Sequence, residues 1–442
     1  MDSCYTEHDP NFADKISSLC FEKFKKLPKT GKPQSKKEWT LLAGIVFFNK
    51  TNKRFKVVTL CTGTKCLGFS QLTKNGNVVF DSHAEVLVRR ALIRYIYYHM
   101  LLVFDNKDSE VLIFDESKNK FQTRPEITFH LFISHVPCGD AAIFPKLLPA
   151  KRTLDNSVDE ESAETEVKKL KMKHTEINVK NVQDEPGCPI SSVPDIYRTG
   201  AKCVDSGEQD PKEAGEKFHV TGVLRTKPGR GDPTWSMSCS DKIALWNICG
   251  LQGALLSLCL QNPIYLSSIT FGKCPLNKAA VERAVVQRLL NVKNLPFLYK
   301  INQPKILQSN LSFEFSKENL MKENENAVPC SSSIIWCDIP NFLNVSVNGR
   351  KQGITKKNMD KPHSRIGVCK SALFENFLSL VLKDSHKILK HFPKDDTKLT
   401  YLDYKLMAED YQSAKKAVLE IFDGWKKKPD HLQKFEIIVP QT

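Results

Sequence analysis

Side chains two residues apart on a regular helix point in different directions. His83 and Glu85 can therefore face one site only where a helix is just beginning. The surrounding Asp81-Ser82-His83-Ala84-Glu85-Val86-Leu87 reads as such a beginning. Asp81 and Ser82 are good N-cap residues, and an apolar-rich run follows through Ala91, Leu92, Ile96 and Leu101. An imidazole able to bind a metal and a carboxylate able to move protons are thus aimed at whatever lies beyond the helix end.

A second stretch, Pro137-Cys138-Gly139-Asp140-Ala141, follows the apolar run Phe129 to Ile133. Together the two resemble the signature of zinc deaminases, His-x-Glu followed by Pro-Cys-x-x-Cys, in which the His and both Cys bind zinc and the Glu moves protons. Here Ala141 stands where the second cysteine of that signature belongs. A hydrolytic zinc takes three protein ligands and leaves its fourth position to water, so a third ligand is needed. Most other cysteines sit in apolar runs (Cys249, Cys259) or in linker-like stretches (Cys188, Cys203, Cys330) and read as small buried hydrophobes. Cys239 differs. It lies among serines at a helix start, where the dipole favours a thiolate, and is the best third ligand.

The 442 residues, 41% hydrophobic, suffice for one large core or two ordinary ones. Net charge is +15, which suits a polyanionic partner such as nucleic acid, although a solvated positive surface is the plainer alternative. The 14 cysteines are about 3% of the chain, far too few for a disulfide scaffold. Their irregular spacing points to reduced thiols in the cytoplasm and/or nucleus. With no apolar leader and no spanning segment, the sequence reads as a soluble intracellular protein with no membrane partner. Oligomeric state is left open.

Along the chain, Phe12 to Leu27 reads as an amphipathic helix, and Lys23 to Lys37 carries seven lysines, a solvated linker first and a phosphate-contacting arm second. Strands are expected at Leu41 to Phe48, Phe55 to Cys61, Val111 to Phe114, Phe129 to Ser134, His219 to Leu224 and Ile264 to Phe271. A long helix is expected from Cys239 through Leu258 to Pro263, and another over Asn277 to Leu290. Ile334 to Cys337 and Phe342 to Val347 suggest a hairpin closed near Asn348-Gly349, with helices at Val368 to Lys383 and Tyr404 to Phe422 beyond. Residues 150–216 are polar enough to predict a largely disordered insertion, and 314–329 a surface insertion. The domain reading is an N-terminal helix and basic linker over 1–40, then one α/β domain over 41–442 with a helical C-terminal elaboration.

His83-Ala84-Glu85, Pro137-Cys138-Gly139-Asp140-Ala141 and Ser238-Cys239-Ser240-Asp241-Lys242-Ile243-Ala244, in that order, resemble the adenosine deaminases acting on RNA. The likeness extends from about Leu41 to the C-terminus. About forty residues precede it, too few for the double-stranded-RNA-binding domains of the duplex-editing members, so the tRNA-directed members are the nearer match. Arg198-Thr199-Gly200-Ala201-Lys202 and Lys227-Pro228-Gly229-Arg230-Gly231-Asp232 look like those members too.

The resemblance implies a cytidine-deaminase-like core, a mixed sheet flanked by helices. It implies Zn2+ on His83, Cys138 and Cys239, with Glu85 protonating N1 of adenine and then the departing amine. Thr64, Lys65 and Arg230 are expected to touch substrate. A second implied group is a buried inositol hexakisphosphate, held by Arg89, Arg90, Lys242, Trp246, Lys370, Tyr401, Lys405, Tyr411 and Lys415 with Trp425 nearby. Asp81 and Lys227 would relay between it and the zinc site. Leu245 stands where the family usually has an arginine on the polyphosphate. The substrate implied is adenosine 37 in the anticodon loop of alanine tRNA. An unpaired base needs little help to flip, which fits the absence of the glutamate that duplex-editing members carry in the Lys227-to-Asp232 loop. Alternatives are a deaminase of other structured RNA or of free nucleosides, or an inactive RNA-binding protein with structural zinc. A free-nucleoside enzyme has little use for a charge of +15, and an inactive protein has no need of Glu85.

Overall fold

The computed structural model describes residues 11–146, 195–211, 213, 215–228, 232–359, 361–383 and 399–437. Its centre is an eight-stranded mixed sheet: β1 (Leu42–Asn49), β2 (Arg54–Thr62), β3 (Ile127–Ile133), β4 (Leu266–Phe271), β5 (Lys305–Gln308), β6 (Ser332–Cys337), β7 (Leu343–Val347) and β8 (Arg350–Lys351). Their spatial order is β5-β4-β3-β1-β2-β6-β7-β8, with β3, β4 and β5 parallel to one another and every other pair antiparallel. The central strands are apolar on both faces, as a sheet covered on both sides must be. Ala43, Ile45, Val58, Leu131 and Ile133 feed one core; Leu42, Val46, Leu60 and Phe132, one residue out of step, feed the other.

Helix α1 (Phe12–Lys26) closes the second face with Phe12, Ile16, Cys20 and Phe24. The opposite face is covered by α2 (Ala84–Phe104), whose Leu87, Val88, Leu92, Tyr95 and Ile96 are all buried. Each such aliphatic side chain contributes on the order of 1.5–3 kcal/mol by leaving water, so α2 is the pillar of the domain. Although α2 has 21 residues, no helix among the described residues is long and apolar enough to cross a membrane. The remaining helices are α3 (Cys239–Cys249), α4 (Gly253–Ser257), α5 (Lys278–Val285), α6 (Lys317–Glu323), α7 (Lys370–Lys383), α8 (Tyr401–Leu406) and α9 (Glu409–Ile421). Together these make the α/β, helix-flanked mixed sheet expected, with α7, α8 and α9 as its helical C-terminal elaboration.

Several local expectations are corrected. The helix opening at Cys239 stops at Cys249, because Gly250 takes φ +74 and ends it, and α4 is a separate short turn. His219 to Leu224 is a loop whose amides bond to side chains, Val220 N to Asp210 and Gly222 N to Asp140; the strand is Arg225–Thr226, paired with Lys202–Cys203. Asn348-Gly349 joins β7 to β8, while residues 338–342 join β6 to β7. The helix read from Tyr404 to Phe422 is broken at Met407 and Ala408, and the one read from Asn277 to Leu290 ends at Val285. Of the stretch 150–216, residues 150–194 lie outside the described residues, whereas Ile196–Tyr197 pairs with Phe144–Pro145. Residues 314–329 hold α6 and a two-residue strand beside Glu38–Trp39.

Candidate active site

At one end of the sheet, the chain leaving β2 forms a two-stranded ribbon, Thr64–Cys66 against Asp81–His83, that delivers His83 to the start of α2. His83 is the N-cap residue, its backbone extended, and its amide donates to the Asp81 carboxylate at 3.1 Å. Glu85 follows in the first turn, so the imidazole and the carboxylate share the helix end. The loop after β3 brings Cys138, and the N-terminus of α3 brings Cys239. The last two are stitched together: the Ser240 amide and hydroxyl both donate to the Cys138 carbonyl, at 3.1 and 3.0 Å.

His83 Nδ1 lies 4.0 Å from Cys138 Sγ and 3.6 Å from Cys239 Sγ, and all three potential ligand atoms fall within 4.8 Å of one another. One imidazole and two thiols at this spacing fit tetrahedral zinc with a fourth position open. The two thiols are electrostatically unlike: burial and the neighbouring Cys138 push Cys239 up, while Cys138 is drawn down. The Cys239 amide points at Cys138 Sγ at 3.4 Å, and Lys227 Nζ at Cys239 Sγ at 3.0 Å. The hydrogen bond from Cys239 first, then Lys227 and His83, hold the Cys138 thiol well below its ordinary range. Glu85 is fully buried and its carboxylate oxygens make no hydrogen bond among the described residues. Burial raises its pKa, against the pull of His83 and Lys227. An unpartnered carboxyl in such a place is costly unless something else engages it.

Beside this cluster opens a cavity of about 430 Å3, lined by His83, Cys138, Lys65, Thr199, Asp232 and Asn348 among others. That is room for one nucleotide. Lys65 lines it; Thr64 sits opposite His83 in the ribbon. Arg230 lies outside the described residues. Thr199 and Asn348 were not singled out as site residues by sequence reasoning: the first lies across a 60-residue gap from Cys138, and the second at the β7–β8 turn.

Behind the cluster lies a second cavity, of about 520 Å3. Ten lysine and arginine side chains line it against two carboxylates, Asp81 and Asp430. Of the ten residues anticipated for a polyphosphate, nine line this cavity: Arg89, Arg90, Lys242, Trp246, Lys370, Tyr401, Lys405, Lys415 and Trp425. Tyr411 does not; it stands behind the wall, against Arg89. Leu245 lines the wall without a charge. Lys428 was missed, hidden in the exposed-looking run after Trp425. Burial pushes Lys405 and Lys415 down to about 8 and Lys428 to about 7. Cations crowded in this way need a polyanion among them.

The two cavities are joined by a buried chain of charge. Asp81 accepts from Lys242 on the cationic side and from Lys227 Nζ, at 2.9 and 2.7 Å, on the other; Lys227 then reaches Cys239. Burial would raise the Asp81 pKa, but the two lysines hold it well below the carboxylate range.

Residues 59–429 match the family described as the adenosine-deaminase (editase) domain. The chain is 35% identical to human tRNA-specific adenosine deaminase 1, over 96% of its length and 99% of that protein's. It is also 35% identical to tRNA-specific adenosine deaminase 1 of Drosophila melanogaster, over 95% and 96%. Against the Drosophila double-stranded RNA-specific editase identity is 32%, over 66% of this chain and 38% of the editase.

Proposed function

The chain belongs to the adenosine-deaminase (editase) family and is a deaminase, and from that premise we propose that it converts adenosine to inosine in tRNA, with adenosine 37 of the alanine tRNA anticodon loop as its target. The reading is carried by one observation: an imidazole, two thiols and a buried, unpartnered carboxyl converge beside a nucleotide-sized cavity. The substrate follows the relatives, two of which are tRNA-specific deaminases matched over nearly their whole length.

In this reading His83, Cys138 and Cys239 hold zinc. A zinc ion so bound supplies a Lewis acid that makes water reactive near neutral pH. Glu85 does the proton work. Held dry and with a raised pKa, it donates to N1 of adenine, recovers a proton from the attacking water, passes it to the departing amine, and takes up the remaining hydroxyl proton as the C6 carbonyl forms. Ammonia leaves and inosine remains. Asp81 and Lys227 relay between the cationic cavity and the zinc site, Lys227 bridging the Asp81 carboxylate and Cys239 Sγ; Thr64, Lys65 and Arg230 contact the substrate. The cationic cavity takes inositol hexakisphosphate on Arg89, Arg90, Lys242, Lys370, Lys405 and Lys415, with Trp246, Tyr401 and Trp425 packing around it. Residues 41–442 act as one catalytic domain, with α1 packed on its sheet.

Incubating purified protein with a tRNA pool and sequencing for A-to-G changes tests the assignment. Changes confined to position 37 of alanine tRNA are expected; changes scattered through duplex RNA would assign the chain to another substrate. Mass spectrometry of the denatured protein should release a hexakisphosphate, and its clean absence would return those cations to some other ligand.

A further inference from the structure

We infer that the lysine-rich segment from Lys23 to Lys37 is a preformed strap that grips the RNA phosphate backbone beside the catalytic end of the sheet. The inference rests on the substrate reading above. The segment carries seven lysines and no acidic residue. None of the seven forms an ion pair among the described residues, and Lys25, Lys26, Lys29, Lys36 and Lys37 are exposed.

A merely solvated charge run needs no fixed shape. This one has it. Leu27 and Pro33 are buried, and the Gly31 carbonyl accepts from Ser332 Oγ at 3.0 Å. Gly31 takes φ +81, and a Cβ there would stand 2.6 Å from Val345, so the backbone lies directly on β6 and β7. Asn324 donates to the Lys36 carbonyl at 2.8 Å, the Val328 amide donates to that of Lys37 at 3.0 Å, and Glu38–Trp39 then pairs with 328–329. Lys32 folds back over the Phe24 ring, 4.9 Å away, with its ammonium donating to the Lys25 carbonyl. The strap is therefore anchored at its start, middle and end while Lys25, Lys26, Lys29, Lys36 and Lys37 stay exposed to water.

Its position gives it a use. Ser332, which holds Gly31, is followed by Ser333, which packs against Gly63. The Gly63 carbonyl accepts from Ala84 N at 3.1 Å, and Thr64 faces His83. Two short steps thus connect the strap to the residues that frame the reacting base. An RNA whose adenosine enters the 430 Å3 cavity would run its flanking phosphates past this edge. Phosphate contacts of this kind position a nucleic acid without reading its sequence, and each one adds to the salt dependence of binding.

The test is equilibrium binding of full-length alanine tRNA, by fluorescence anisotropy from 50 to 200 mM salt. It compares wild-type protein with the triple variants Lys29→Gln/Lys36→Gln/Lys37→Gln and Lys29→Arg/Lys36→Arg/Lys37→Arg. The glutamine variant should bind at least roughly tenfold more weakly, with a slope of log affinity against log salt shallower by about 0.7–0.9 for each phosphate left without its lysine. The arginine variant should keep the wild-type slope. Equal slopes for wild-type and glutamine proteins that melt at the same temperature would overturn the strap. Binding is read without turnover, so a wild-type protein that grips tRNA through the strap but forms no inosine would count against the catalytic reading alone.

Discussion

Lys227 shows how much a single buried charge can be asked to hold. It is fully buried, donates to both oxygens of Asp81, and reaches the thiol of Cys239. Burial would strip its proton, yet Asp81 and the neighbouring thiols raise its pKa well above the ordinary value. Replacing it by methionine keeps the volume but leaves Lys242 as the one ammonium on Asp81 among the described residues. Breaking a buried pair from one side costs about 3–5 kcal/mol. Urea unfolding of Lys227→Met should therefore show a midpoint far below wild type; an unchanged midpoint would mean the pair is not needed for the fold. Lys227 also shows what sequence could supply. Its likeness to a family relay marked it, but only the fold explains the role, because 146 residues separate it from Asp81.

Among elements, the start of α3 is the most exacting. Ser238 caps it, accepting from the Asp241 amide at 3.2 Å and donating to the Asp241 carboxylate at 2.6 Å. The next residue is Cys239, so the cap also sets where that thiol points. Ser238→Ala should lower stability by about 1 kcal/mol, read as a small loss in denaturant midpoint together with weaker zinc retention on dialysis against a chelator. Retention equal to wild type would separate the cap from the metal site. The first helix was legible because its apolar positions recur along its whole length, and Phe12 to Leu27 differs from the observed Phe12–Lys26 by one residue. The third was legible only at its start. Its burial pattern runs on past Gly250, and nothing short of the backbone geometry says that this glycine ends the helix. The same holds for α8 and α9, whose apolar stripe continues across the break at Ala408.

For the whole molecule, the core sets a pH limit. His99 and His130 are buried and hydrogen-bonded to hydroxyls, Ser109 for the first and Thr128 and Ser268 for the second. Burial pushes them down to about 4 and about 3 from an ordinary 6.5. Between roughly pH 6.5 and 4 the unfolded chain therefore binds more protons than the folded one. Stability is fully present above that window and falls as pH drops through it, by up to about 1.4 kcal/mol per pH unit for each histidine. His135, raised by its pairing with Glu318, works in the opposite direction, with half as many groups. Urea midpoints from pH 7.5 to 4.5 should fall steadily, and His130→Gln should flatten the curve; a midpoint independent of pH would show these imidazoles to be solvated. At this scale the sequence spoke through composition: an excess of lysine and arginine is visible without coordinates. Composition did not say that ten of those charges line one cavity; only the family likeness grouped six of them, Arg89, Arg90, Lys242, Lys370, Lys405 and Lys415. Spacing along the chain gave no hint, since they come from segments as far apart as Arg89 and Lys428.

The central claim is that three side chains hold a metal while a fourth, buried among them, moves the protons. Glu85→Ala separates the two roles. The protein should be purified with wild-type zinc content and its inosine formation on alanine tRNA measured at saturating substrate. A fall of about 10²–10⁴-fold with the metal retained is predicted. Wild-type turnover by the zinc-loaded variant would contradict it.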